Sequence, residues 1–128
     1  MTNEEINKII AKFRGWVEYH PTPESISKGY PSYSYWIPPR DSKQSFENWG
    51  KLEMDYPPDY CNNLNAMAET KNLLTGDKRR EFIEYLYEIV KQDKNINAGP
   101  YSVMIEAFYA TAKQQAIAFV KTIGKWKD

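Results

Sequence analysis

Histidine and cysteine occur once each, as His20 and Cys61, in a chain of 128 residues. A single cysteine cannot close an internal disulfide, which fits a reducing compartment. One of each is also too few for the His/Cys ligand sets of structural or catalytic zinc. An excess of either charge is absent too, since 17 basic side chains balance 17 acidic ones. Neutrality argues against a general nucleic-acid coat or a polybasic membrane binder and leaves local patches open. No apolar run approaches the roughly 20 residues that span a bilayer. MTNEEINKII shows no basic segment ahead of an apolar one, so no signal peptide is visible. There is no glycine-rich phosphate loop, no G-x-S-x-G and no H-E-x-x-H. The expectation is one soluble intracellular domain, residues 1–128, with no catalytic residue, no cofactor and no metal.

What the chain has in plenty is aromatic surface. Ten tyrosines and four tryptophans contribute to a 15% aromatic content, and seven of the eight prolines lie between Tyr19 and Tyr60. The rest is patterned. Thr2-Asn3-Glu4-Glu5 is a capping box, followed by Ile6, Ile9, Ile10 and Phe13 at helical spacing, and Gly15 suits the helix end. Trp16–Tyr19 and Tyr33–Ile37 read as strands halted by prolines. Between Arg40 and Pro58 there is no clear period; Phe46, Trp49 and Leu52 allow a short helical turn at most.

Three helices dominate the second half. Asn62–Leu74 places Leu64, Met67, Ala68 and Leu74 on one face, and Thr75-Gly76-Asp77 closes it and caps the next. Lys78 to about Asp93 buries Phe82, Tyr85, Leu86, Ile89 and Val90. Asn95–Pro100 reads as a turn, and Ser102–Tyr109 as a third strand. Thr111-Ala112-Lys113-Gln114 is a second capping box, opening a helix with a stripe of Ala112, Ala116, Phe119, Val120 and Ile123. The predicted fold is α+β in the order α-β-β-α-α-β-α, a small three-stranded, mainly antiparallel sheet packed with helices.

Four constellations bear on function. Asp59, Cys61, Asn62 and Asn63 crowd around Pro57-Pro58, and the prolines and cap-forming side chains mark a helix start. A thiol at a helix N-terminus can be activated, but a cysteine nucleophile needs a base, and His20 precedes a proline in a separate strand. Glu81, Glu84 and Glu88 share a face as di-metal carboxylates do, yet that face lies opposite Phe82, Leu86 and Ile89 and reads as solvated. Lys78-Arg79-Arg80 opens a helix, where positive charge is disfavoured unless Asp77, Glu81 and Glu84 offset it; the alternative is an anion- or RNA-facing patch. Tyr33, Tyr35 and Trp36, with Trp49 downstream, are either interface anchors or core residues with polar tips, and the sequence leaves both open.

Two stretches carry a resemblance. PDYCNNLNAMAE (58–69) and ATAKQQAIAFVKTIGKWKD (110–128) resemble the motifs P-x-Y-x-N-D-L-N-A-M-x-E and A-T-x-x-Q-x-A-x-A-F-L-x-T-I-G-K-W of small phage- and prophage-encoded proteins of the ABA-sandwich type. The similarity runs from Trp16 onward in the order of elements, and Asn63 departs from the pattern's usual Asp. It implies a mobile-element origin and a place in the cytoplasm of a bacterial host, and it carries no activity with it. The expected function is a non-enzymatic accessory protein that binds and inhibits a host protein or ribonucleoprotein, including defence systems such as a CRISPR effector. Tyr33, Tyr35, Trp36 and Trp49 would anchor that contact, while Lys78, Arg79 and Arg80 would meet acidic side chains or RNA. The alternative is a small-ligand-binding or cryptic enzymatic phage protein, which needs a concave pocket lined by Tyr and Trp.

Overall fold

Thr2 and Glu5 exchange hydrogen bonds at the start of α1 (Asn3–Phe13): Thr2 N donates to Glu5 Oε2 at 2.7 Å and Glu5 N to Thr2 Oγ1 at 3.2 Å. This is the predicted capping box, and the Thr2 amide holds the Glu5 carboxyl below its ordinary range. Ile6 and Ile10 are fully buried, Ile9 is half-buried and Phe13 is exposed. The helix closes at Gly15, whose φ of +97° is left-handed, with Trp16 N donating to Ala11 O in a Schellman-type bond. A side chain there would be strained by that φ and would also stand 3.4 Å from Pro39 Cβ.

The computed structural model describes residues 1–39, 56–94 and 100–128. Its contacts form two compact units: Met1–Ile10 with Pro58–Asp128, and Ala11–Pro57. In the latter, β1 (Val17–Tyr19) pairs antiparallel with β2 (Tyr35–Ile37), setting Val17 opposite Ile37, Glu18 opposite Trp36 and Tyr19 opposite Tyr35. Between them stands α2 (Pro23–Ser27), an element the sequence pattern does not announce. Thr22 and Ser25 form a reciprocal capping box around Pro23 at the first turn, so this proline starts a helix.

The larger unit is helical: α3 (Leu64–Lys71), α4 (Asp77–Lys94), α5 (Pro100–Phe108) and α6 (Ala112–Thr122). Asn63 caps α3 by accepting from Ala66 N at 3.0 Å. The helix is shorter than Asn62–Leu74; Met67 and Leu74 are buried, but Leu64 faces solvent. In α4, Phe82, Leu86, Ile89 and Val90 are buried as the pattern predicts, and Tyr85 is half-buried. Thr111 and Gln114 form the expected capping box of α6. That helix lies against both α3 and α4, and Ala112, Gln115, Ala116, Ala118, Phe119, Val120 and Thr122 are all buried, a wider band than the predicted stripe. Thr122 satisfies its buried hydroxyl by donating to Ala118 O at 2.7 Å.

The three-stranded sheet and the order α-β-β-α-α-β-α are corrected by this structure. Among the described residues there are six helices and one two-stranded sheet. Ser102–Tyr109 belongs to α5 and the turn after it, not to a third strand. The buried members Val103 and Ala107 are four apart, on one helical face, and Pro100 occupies a first-turn position where its missing N–H costs nothing. A short apolar run such as Val103-Met104-Ile105 has no period of its own that separates helix from strand. Of the predicted turn Asn95–Pro100, residues 95–99 lie outside the described residues and Pro100 opens α5 instead. The segment with Phe46, Trp49 and Leu52 also lies outside the described residues. Among the described residues no helix is long and apolar enough to cross a membrane.

Candidate functional site

The aromatic anchors predicted in the smaller unit are partly used up by the fold. Tyr19 and Tyr35, opposite each other across the hairpin, have ring centroids 4.7 Å apart. Tyr30 lies 6.3 Å from Tyr19, and Tyr33 meets Tyr35 edge-on at 6.1 Å. The Tyr19 hydroxyl donates to Pro31 O at 3.0 Å and lies 2.8 Å from Ser25 Oγ, tying the cluster to α2 and the following loop. Tyr33 is exposed, while Tyr35 and Trp36 are half-buried. Trp49 lies outside the described residues.

Lys78, Arg79 and Arg80 are all exposed at the start of α4, in the other unit, and they do not act as one patch. Successive helical residues point about 100° apart. Lys78 Nζ donates to Glu81 Oε2 at 3.0 Å and to Thr122 O at 3.3 Å, so its charge serves the end of α6. Arg79 instead lines an apolar cleft, described below.

The environment of Cys61 is structural. Cys61 is buried, its backbone N–H donates to Asn7 Oδ1 at 3.0 Å, and its thiol points at Asn3 O at 3.8 Å. Burial pushes the thiol pKa up, with the Asp59 charge adding to it, which is opposite to what a nucleophile requires. Asp59 accepts from Asn7 Nδ2 and Asn62 Nδ2, both at 2.8 Å, and these bonds, Asn62 foremost, hold its carboxyl below the ordinary range. His20 is engaged elsewhere, 3.3 Å from Glu18 Oε1 through Nε2 and 3.2 Å from Ser34 Oγ through Nδ1. Among the described residues no three His, Cys, Asp or Glu side chains gather where they could hold a metal ion. Glu84 and Glu88 are exposed, and Glu81 is paired with Lys78.

A feature that the predicted third strand would have excluded lies between α4 and α5. A cleft of about 380 Å³ is floored by Phe82, Leu86 and Ala107 and walled by Ile83, Tyr87, Met104 and Phe108. Lys71, Asn72 and Arg79 also line it, and among the described residues no carboxylate does. Neither Lys71 nor Arg79 has an ion-pair partner among the described residues. Phe108 is 85% exposed and Tyr109 75%, their rings packed edge-to-face at 5.4 Å. Met104 and Ile105, one turn back, are also exposed. An unburied aromatic pair next to aliphatic side chains, bordering an apolar cleft, is the kind of surface that monomeric domains keep for contacts. Among the described residues Tyr87 is the one Tyr that lines the cleft and no Trp does, whereas a small-molecule binder of the expected kind needs a pocket lined by both. Its signal was in the sequence, since Met104, Ile105, Phe108 and Tyr109 share a side only if the segment is a helix. No protein-family model, curated protein or solved structure matches the chain.

Proposed function

We propose that this protein is a non-enzymatic accessory factor that binds, and thereby blocks, a host macromolecule. One observation carries the reading: α5 presents Met104, Ile105, Phe108 and the adjoining Tyr109 to solvent beside a preformed apolar cleft. Buried aromatic anchors dominate interface energies, and Phe108 and Tyr109 are largely exposed in the free protein. The dispersal of Lys78 and Arg79 to different neighbours favours a protein target over RNA. The likeness of residues 58–69 and 110–128 to phage and prophage motifs supports a mobile-element origin, and a bacterial defence complex is one class of target it would suit.

The test is co-purification from a bacterial host. Tagged protein should retain a stoichiometric macromolecular partner through nuclease treatment, and the partner's activity should fall as the protein is added. Turnover of a metabolite with no macromolecule retained would overturn the reading and favour the small-enzyme alternative.

A further inference from the structure

Resting on that binder reading, we infer that the α4–α5 cleft receives an amphipathic helical segment of a partner protein, one that carries carboxylates beside its apolar anchors. The shape argues for a helix. Ile83 and Tyr87 on α4, and Met104 and Phe108 on α5, are each four residues apart, so both walls are rows running along a helix axis. A third helix laid between two such rows seats its own i, i+4 ridge in the groove. The charge argues for acid. Lys71 and Arg79 border a mainly apolar cleft that, among the described residues, no carboxylate lines, and among those residues neither cation has an ion-pair partner. A segment with Asp or Glu flanking its anchors would neutralise both as water is excluded.

The same charges count against a second copy of this chain. A two-fold contact sets a patch against itself, which would bring Lys71 and Arg79 near their own counterparts with no acid between. RNA is disfavoured by the floor: Phe82 and Leu86 offer no donors or acceptors to base edges, and two rim cations are few for a phosphate backbone.

The experiment is selection from a displayed library of helical peptides against the full chain, with Phe108→Ser and Arg79→Glu as comparison proteins. Enriched peptides should have apolar residues at i, i+3/i+4 spacing and a net negative charge. Phe108→Ser should weaken their binding about 30-fold, as expected for a hot-spot aromatic. Arg79→Glu should weaken it about fivefold at low salt, the difference shrinking as salt rises. Neutral or basic winners, no enrichment, or equal binding by Phe108→Ser would each overturn the inference. So would concentration-dependent self-association abolished by Phe108→Ser, or host capture destroyed by ribonuclease. Host capture by the parent that survives Phe108→Ser overturns this inference and leaves the binder reading standing. No capture by the parent overturns the reading itself.

Discussion

α6 buries Phe119 and Val120 completely, whereas α5, just before it in the chain, leaves Phe108 85% exposed. Both helices are rich in apolar side chains, so apolar content did not decide which of them would be enclosed. The number of neighbours did. α6 is contacted by α3 and by α4, and Ala112, Ala116 and Ala118 let those helices approach closely. α5 packs on α4, which takes up Val103 and Ala107 and leaves the opposite side uncovered. A helix that is apolar on more than one face is normally enclosed. The difference therefore separates a stripe enclosed by two helices from one left largely exposed.

Breaking the packed side should have the largest effect. Phe119→Ala removes a fully buried ring and should destabilise the protein by about 3–5 kcal/mol, read as a lowered denaturant midpoint. An unchanged midpoint would end the assignment of α6 to the core. Overfilling should come next. Ala116 is completely buried, so Ala116→Leu should cost about 1–3 kcal/mol. Met104→Leu on the outer side of α5 should stay within about 0.5 kcal/mol of the parent. Equal losses from the two substitutions would erase the distinction between the helices.

Much of the packed side was legible in the sequence, and the open side was not. The Thr2/Glu5 and Thr111/Gln114 boxes, and the runs Ile6–Ile10 and Phe82–Val90, carry their information locally: a cap, a period, a stop. They appear as predicted. α5 carries a contradictory signal, because β-branched and aromatic residues in Ser102–Tyr109 look like a strand, whereas Val103 and Ala107 are buried with an exposed Ile105 between them, a pattern no alternating strand gives. A strand reading of this segment hides the candidate site, since Met104 and Phe108 share a face with Ile105 and Tyr109 only in a helix. Tyr33, Tyr35 and Trp36 were singled out by composition, but the cross-hairpin stack with Tyr19 depends on register, which composition does not encode. Lys78 and Arg79 are adjacent in sequence and diverge because of the helix they begin.

A smaller effect comes from the entrance to α3, against which α6 packs. Asp59 has its folded pKa lowered by hydrogen bonds from Asn62 and Asn7. A depressed carboxylate contributes stability that is present above its unfolded pKa and lost as pH falls through the folded one. Asp59→Asn should therefore lower stability near neutrality and flatten the acid limb of the stability–pH curve, because less is left to lose as pH falls. An unaltered acid limb would show that these bonds do not persist in solution. The least change is expected at Cys61. Its raised pKa should keep alkylation slow until pH exceeds the ordinary thiol range, and Cys61→Ser should retain partner binding. Fast modification at neutral pH, or a folded serine variant without binding, would return the thiol to consideration.

Phe108 is proposed as a contact residue and not a structural one. The most direct measurement pairs thermal unfolding with host capture for the parent and Phe108→Ser, at matched concentration. Unfolding of the variant within about 0.5 kcal/mol of the parent, together with loss of the captured partner, is the predicted result. Capture that persists in the variant, or a variant that unfolds several kcal/mol more easily, would contradict it.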